Sequence, residues 1–539
     1  MGFTKATSLS LIEKKSFMSE QQNIVRDAGV VGGATVLSRI MGMARDMLIS
    51  RLFGAGFATD AFFAAFQIPN LLRRFFAEGA LASAFVPTFS HTLVKRGEDE
   101  ARELANISFT LLTIIMSVVA LGGIIFSPWI VDLMFPGFRA VPGKFELTVL
   151  LNRIMFPYIF FISLVALSMG ILNTVRHFFI PAVSTVFLNI SIILSAILLR
   201  GFFKVPVTAL AVGVLVGGIM QLALQAPVLW IKGFRLRPAF DFKRPEVFRM
   251  AKLAVPSILG TGVYYLNITV STILASLLPQ GSISYLYYAQ RLFEFPQGLF
   301  VVSLAQAVLP SMSRQAAQGD IHGMKESLSF GLRLTLFVTI PAMAGLMICS
   351  LPIFSLLFMG GAFDYAKAVN SAKGLLFYSS GLPFVAMTRV LVPAFYAMGD
   401  TRTPVFAAFL AFLCNIGLSL VFMEPLGHGG LAFATSLSAF VNMTLLFWFL
   451  YRKIGAFGGS EIFYSAFKSF IASIPMALIV YYLLMFADWS SPGDALFKGL
   501  CLGGIIALGI VTYFIVVIVL RSNEGFALLQ LIRKKARLT

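Results

Sequence analysis

The chain has 539 residues, of which 58% are hydrophobic and 12% charged, with 42 Lys and Arg against 24 Asp and Glu. A soluble domain carries about 25% charged residues, so the composition excludes one and points to a protein embedded in the membrane. The net charge of +18 admits nucleic acid as a partner only if the basic residues cluster away from the membrane flanks.

A membrane-spanning helix needs about 20 mostly apolar residues. Fourteen segments satisfy this, near 27–52, 60–93, 103–127, 147–172, 180–199, 207–230, 250–277, 284–313, 327–351, 368–398, 404–423, 430–451, 466–487 and 496–520. The fold class is therefore all-α and polytopic. With an even number of spans both termini share a side, and placing them inside puts most Lys and Arg in cytoplasmic segments. The linker KGFRLRPAFDFKRPEVFR (232–249) and the tail RKKAR (533–537) carry much of that excess. The positive-inside rule thus accounts for the charge, and no nucleic-acid site is needed. The polar opening lacks a secretory signal, and translation from Met18 is an alternative to Met1. Cys349, Cys414 and Cys501 all lie in apolar runs, which suits packing rather than a disulfide framework or zinc site.

The second half repeats the first. Residues 430–453 match 209–232, with Leu431 over Leu210, Asn442 over Gln221 and Lys453 over Lys232. Gly298 over Gly79, Pro310 over Pro87 and Pro352 over Pro128 keep nearly the same offset, and Phe135-Pro-Gly-Phe138 has a counterpart in Phe358-Met-Gly-Gly-Ala-Phe363. Each unit holds six spans, so the copies run parallel. Such repeats form two lobes with a binding site at their interface in alternating-access transporters. The expected organisation is a cytoplasmic segment 1–26, an N-lobe 27–231, the basic linker 232–249, a C-lobe 250–453, two further helices in 454–521 and a basic cytoplasmic tail 522–539.

Charges concentrate in three spans. The first carries Arg39, Arg45 and Asp46; the second carries Asp60, Arg73, Arg74 and Glu78; the eighth carries Arg291 and Glu294. Each costs about 2.5–3.5 kcal/mol at a helix centre on insertion scales, so each needs a cavity or a partner. Arg74 and Glu78 lie four apart and Arg39 and Asp46 seven apart, which places each pair on one helix face. Pro69, Pro87 and Pro296 flank the charged stretches and mark expected bends, since broken helices at membrane depth are tolerated beside a cavity. Five arginines face four carboxylates, so the cavity is cationic. Arginine offers a planar fork suited to phosphate, which makes a lipid-linked phosphate or diphosphate the candidate ligand. The competing reading is internal salt bridges or snorkelling side chains, and it weighs most for Arg45, with Asp46 beside it.

At these residues the chain resembles a known family. SRIMGMARD (38–46), FGAGFATDAFFAAFQIPNLLRRFFAEGALASAFVP (53–87), FPGF (135–138), YAQRLFEFPQG (288–298) and GDTRTPV (399–405) closely resemble the MurJ/MviN family of lipid II flippases, over residue 22 to the C-terminus. The resemblance implies the MATE-like fold of the multidrug/oligosaccharidyl-lipid/polysaccharide (MOP) exporter superfamily: two six-helix bundles in a V and a membrane-facing groove formed by the last two helices. It implies a cationic cavity in which Arg39, Arg45, Arg73 and Arg291 are tied to function, with acidic partners at Asp60, Glu78 and Glu294. Some relatives have an acid just before the eighth-span arginine, where this chain has Gln290. The implied activity is transfer of the lipid II headgroup from the cytoplasmic to the periplasmic leaflet of the bacterial inner membrane, with lipid II and membrane lipids as partners. It leaves open whether peptidoglycan synthases or the division and elongation machinery act beside it.

No GxxxxGK[ST] loop is present, so ATP hydrolysis is not expected. No metal or cofactor is expected either, although a coupling ion is possible, with Asp364, Asn415 and Asp400 as candidate ligands. His91, His177, His322 and His428 fall near span ends or in loops and are read as interfacial or solvated. The rivals are a flippase for another polyprenyl-diphosphate glycan, a multidrug exporter, which would want an acidic cavity, and a membrane-embedded polyprenyl-phosphate transferase. The last lacks a clustered acidic metal motif and a nucleophile with a base at useful spacing.

Overall fold

The structure is a computed structural model. It describes residue 29 and residues 31–526, apart from the side chains of 76–80, 82, 255–268, 299, 300, 302, 303 and 307. The segment 1–26 with its alternative start, the RKKAR tail and the Glu78 side chain lie outside the described residues.

The first half contains α1 (31–53), α2 (Phe57–Arg73), a π-helical segment (Arg74–Phe85), α3 (Val86–Arg96), α4 (Glu98–Ile125), α5 (Ser127–Met134), α6 (Lys144–Met155), α7 (Tyr158–Thr174), α8 (Phe179–Leu198) and α9 (Thr208–Ile231). The second contains α10 (Pro245–Ser276), α11 (Ser282–Pro296), a second π segment (Gln297–Val301), α12 (Val302–Ala317), α13 (Ile321–Ile348), α14 (Ser350–Leu357), α15 (Tyr365–Ser379), α16 (Leu382–Ala397), α17 (Arg402–Leu426) and α18 (His428–Ile454). α19 (Gly459–Leu484) and α20 (Ala495–Val519) follow.

Each of the fourteen expected spans falls on helix in its described part, and the described residues form no strand. Nine helices among them are long and apolar enough to cross a membrane, or ten counting α15 and α16, which bend by 42° at their junction. The four expected spans outside that set are α1, α2–α3, α10 and α11–α12, which include all three with clustered charges. The prolines do not break these helices. Pro69 lies inside α2 and Pro296 closes α11, and the chain widens into π turns at equivalent places of the two repeats. π turns are rare and recur at functional sites.

The chain forms two compact units. The first holds the described residues up to 49 together with 65–131 and 146–262. Its core joins α3, α4, α7 and α9 through Phe89, Ala101, Leu167, Ile171 and Leu229. Lipid is as apolar as leucine, so helices in a membrane associate through small and polar side chains. Ser191 of α8 accordingly donates to the Gly213 carbonyl of α9 at 2.9 Å. The linker 232–249 runs along α4: the Arg237 and Ala239 amides donate to Asn106 and Thr110, and Arg244 pairs with Glu100 and Glu103.

The second unit holds 263–526 together with 50–64 and 132–145. One core joins α12, α13, α16 and α18, and another packs α13 with α19 and α20 through Phe337, Ala472, Met476, Ile505 and Tyr513. The Tyr513 hydroxyl donates to the Phe337 carbonyl at 2.7 Å. The two turns matched by sequence do matching work here. At 358–363 the Ala362 amide donates to the Arg51 carbonyl at the end of α1, at 2.8 Å. A Cβ on Gly361 would overlap that carbonyl, and a Cβ on Gly137 of the 135–138 turn would overlap the Ser276 carbonyl at the end of α10. Each repeat therefore lays a glycine turn over the end of the other repeat's first helix, and only glycine permits so close an approach.

Candidate functional site

The charged spans hold two kinds of side chain, committed and accessible. In the first unit Arg45 is 5% exposed. Its Nε and Nη2 donate to Asp46 Oδ1 at 2.9 and 2.7 Å, and its Nη1 donates to Asn189 Oδ1 of α8 at 3.1 Å. Asn189 Nδ2 in turn reaches the Ser38 carbonyl at 3.3 Å. The guanidinium thus ties α1 to α8. Asp46 is taken by its neighbour, not by Arg39 seven residues away, and Arg39 lies exposed on α1. Burial selects this pairing, because a desolvated guanidinium needs acceptors within the protein.

Asp60 is committed more fully. It is 1% exposed and pairs with Lys144, itself 2% exposed, at 2.9 Å. The same carboxylate accepts the Gly281 amide at 2.7 Å, the Ser284 amide at 2.9 Å and the Ser284 hydroxyl at 2.6 Å. These donors form the first turn of α11, where a negative charge is also favoured by the helix dipole. Lys144 Nζ additionally sits 4.4 Å above the Phe138 ring. Asp60, which the resemblance implies as an acidic partner of the cavity arginines, is held by Lys144, a residue with no such signal in the sequence. Ser284 and Asn189 were missed for the same reason: these contacts span 84 to 224 residues, beyond any helical spacing.

The remaining arginines are accessible. Arg73 is half-buried, with Nε donating to Asn70 Oδ1 at 3.0 Å, and Arg74 is half-buried at the start of the first π segment. Arg291 is 41% exposed and lies 3.5 Å from Glu294, which is 46% exposed. Gln290 donates to the same carboxylate at 3.3 Å, and the Arg291 guanidinium lies over the Tyr287 ring. Pairs this exposed are worth about 0–1 kcal/mol, so either member can change partner at little cost.

Two acids weighed as ion ligands already hold lysines. Asp364 caps α15 and pairs with Lys367 at 2.9 Å, and Asp400 pairs with Lys453 at 2.6 Å. The Lys453 hydrogen bond holds the Asp400 carboxyl at about 2. His428, expected to be interfacial or solvated, is 8% exposed at the start of α18, with Nε2 2.8 Å from the Asn370 carbonyl. Among the described residues no three His, Cys, Asp or Glu side chains converge as for a metal.

A family model described as lipid II flippase MurJ matches residues 49–497. The chain belongs to the MurJ family. A relative named "Probable lipid II flippase MurJ" from Vibrio cholerae serotype O1 is 36% identical over 509 residues, covering 93% of this chain and 96% of the relative. The "Lipid II flippase MurJ" of Burkholderia cenocepacia is 36% identical over 473 residues, covering 87% and 92%. A solved MurJ structure in an inward closed conformation superposes with a TM-score of 0.76 at 30% identity, over 91% of this chain and 98% of that one. An inward-facing MATE transporter of the MOP superfamily follows at 0.65 and 14% identity, over 78% and 95%. That likeness shows the fold alone. MurJ membership and the MOP fold bear out the all-helical reading, and they place this chain among transporters of the inner membrane.

Proposed function

We propose that the protein is a lipid II flippase, carrying the diphosphate and sugar-peptide headgroup from the cytoplasmic to the periplasmic leaflet. The observation that carries this is the MurJ match over 49–497. The accessible arginines supply its chemistry. Arg39, Arg73 and Arg74 in the first unit, and Arg291 in the second, each offer the diphosphate a guanidinium that can grip it bidentately. Glu294, with Gln290 beside it, pairs with Arg291 when the site is empty and yields it when the anion arrives. A ligand shifts a conformational equilibrium only by its differential affinity for the two states, and such a replaceable counter-ion provides one. Arg45 supports the site indirectly by fixing α1 against α8.

The polyprenyl tail stays in lipid beside α19 and α20, whose outward faces carry Phe463, Phe467, Phe470 and Leu500. Both termini lie in the cytoplasm, where the basic linker 232–249 meets the anionic leaflet. The chain performs no covalent chemistry on its substrate in this reading, and a membrane potential or ion gradient supplies the drive. The test is depletion and rescue, scored by the side of the inner membrane on which lipid II accumulates. Depletion strands lipid II on the cytoplasmic side, wild type restores exposure, and Arg73→Ala does not. Unaffected translocation on depletion would redirect the reading to another polyprenyl-linked glycan.

A further inference from the structure

Arg389 lies in the tenth expected span, 368–398, outside the three with clustered charges. It lies in α16 among apolar residues, eight residues before the end of that helix. It is exposed, and among the described residues it has neither an ion pair nor a hydrogen bond. Arg45, Lys144, Arg291 and Arg333, by contrast, each hold a carboxylate. The repeat does not require a charge here: at the repeat offset, the matching stretch of α7 is Val165 to Ser168.

The side chain borders an open, largely apolar depression of about 370 Å³ that it shares with Gln306 of α12 and with side chains such as Leu309 and Val392. The Thr388 hydroxyl beside it donates to the Phe384 carbonyl, which leaves Arg389 and Gln306 as the available donors. Both have proton-donating heads and no carboxylate opposes them, so the depression suits an anion. Gln306 also follows Arg291 by fifteen residues on one continuous helical run, which is roughly 22 Å of rise. The run that carries the accessible Arg291 therefore leads to this second cationic pocket.

We propose that Arg389 and Gln306 form a second phosphate-binding station for the polyprenyl diphosphate, separate from Arg291 along the helix. The proposal rests on the lipid II reading above and names a further residue of that path. A guanidinium with an amide beside it can grip a phosphoryl group bidentately, so a headgroup that leaves Arg291 meets fresh counter-charge farther along the same helical run.

The test is titration of the full-length protein in nanodiscs with undecaprenyl diphosphate and, separately, with phosphatidylglycerol, for wild type, R389Q, R389K, R291Q and the R389Q/R291Q pair. R389Q should weaken undecaprenyl diphosphate binding about tenfold, as expected for one charge-assisted contact. R389K should recover part of that loss, and the R389Q/R291Q pair should bind more weakly than either single variant. The melting temperature should stay at the wild-type value. Unchanged binding by R389Q would overturn the proposal and make Arg389 a snorkelling side chain. Loss confined to phosphatidylglycerol would overturn it too, by assigning the pocket to bilayer lipid. A wild type that ignores undecaprenyl diphosphate would refute the flippase reading itself, whereas binding by wild type and R389Q alike would refute only this station.

Discussion

Asp60–Lys144 and Arg291–Glu294 are both carboxylate–cation pairs of the second unit, and both involve α11. One lies at the helix's first turn with 3% and 2% of its side chains exposed, and the other near its end with 41% and 46% exposed. Their chemistry is alike and their environments are opposite. A buried pair cannot be broken without leaving an uncompensated charge, so Asp60 and Lys144 act as structure. An exposed pair is worth little to folding, so Arg291 is available to a ligand. Burial, more than residue type, separates the charges that hold this protein together from those that the proposed function assigns to transport.

The comparison can be broken at its buried end first. Lys144→Met leaves Asp60 charged and buried and should cost about 3–5 kcal/mol of stability, read as a lower unfolding midpoint. Adding Asp60→Asn should recover a large part of that cost, because the orphaned charge is gone; a double variant as unstable as the single would contradict the pairing. Gly361→Ala should come next. Its φ is +55 and an added Cβ overlaps the Arg51 carbonyl, so a loss of about 2 kcal/mol is expected from the left-handed backbone and the displaced turn.

Lys453→Ala should cost under about 1 kcal/mol, since that pair is partly exposed. Its partner Asp400 has a depressed carboxyl, so the stabilisation is complete above the unfolded value near 3.9. It is lost as pH falls toward about 2. Acid titration of wild type and Lys453→Ala should therefore converge at low pH. Arg291→Ala should be the mildest of all for folding, within about 0.5 kcal/mol, and yet the one that removes transport.

The helices and the charged spans were legible in the sequence because apolar length and out-of-place charge are local signals. The glycine turns were legible as repeats, though not as reciprocal clamps on Arg51 and Ser276. Lys144 was not legible at all: it reads as an ordinary lysine after Pro-Gly, and only the packing of 132–145 into the second unit buries it. Pro69, Pro87 and Pro296 leave their helices continuous, with π turns following Pro69 and Pro296, since neighbouring helical turns can absorb a missing donor without breaking the helix. Arg389 carried a signal that spacing rules discard, a lone arginine deep in a span with no carboxylate within helical reach.

The most direct test places Arg291→Ala and Lys144→Met side by side in proteoliposomes, measuring lipid II flipping and thermal unfolding on the same preparations. Arg291→Ala should unfold like wild type and fail to flip lipid II, while Lys144→Met should be destabilised. An Arg291→Ala variant that flips lipid II at the wild-type rate would contradict the claim that the accessible arginines do the work.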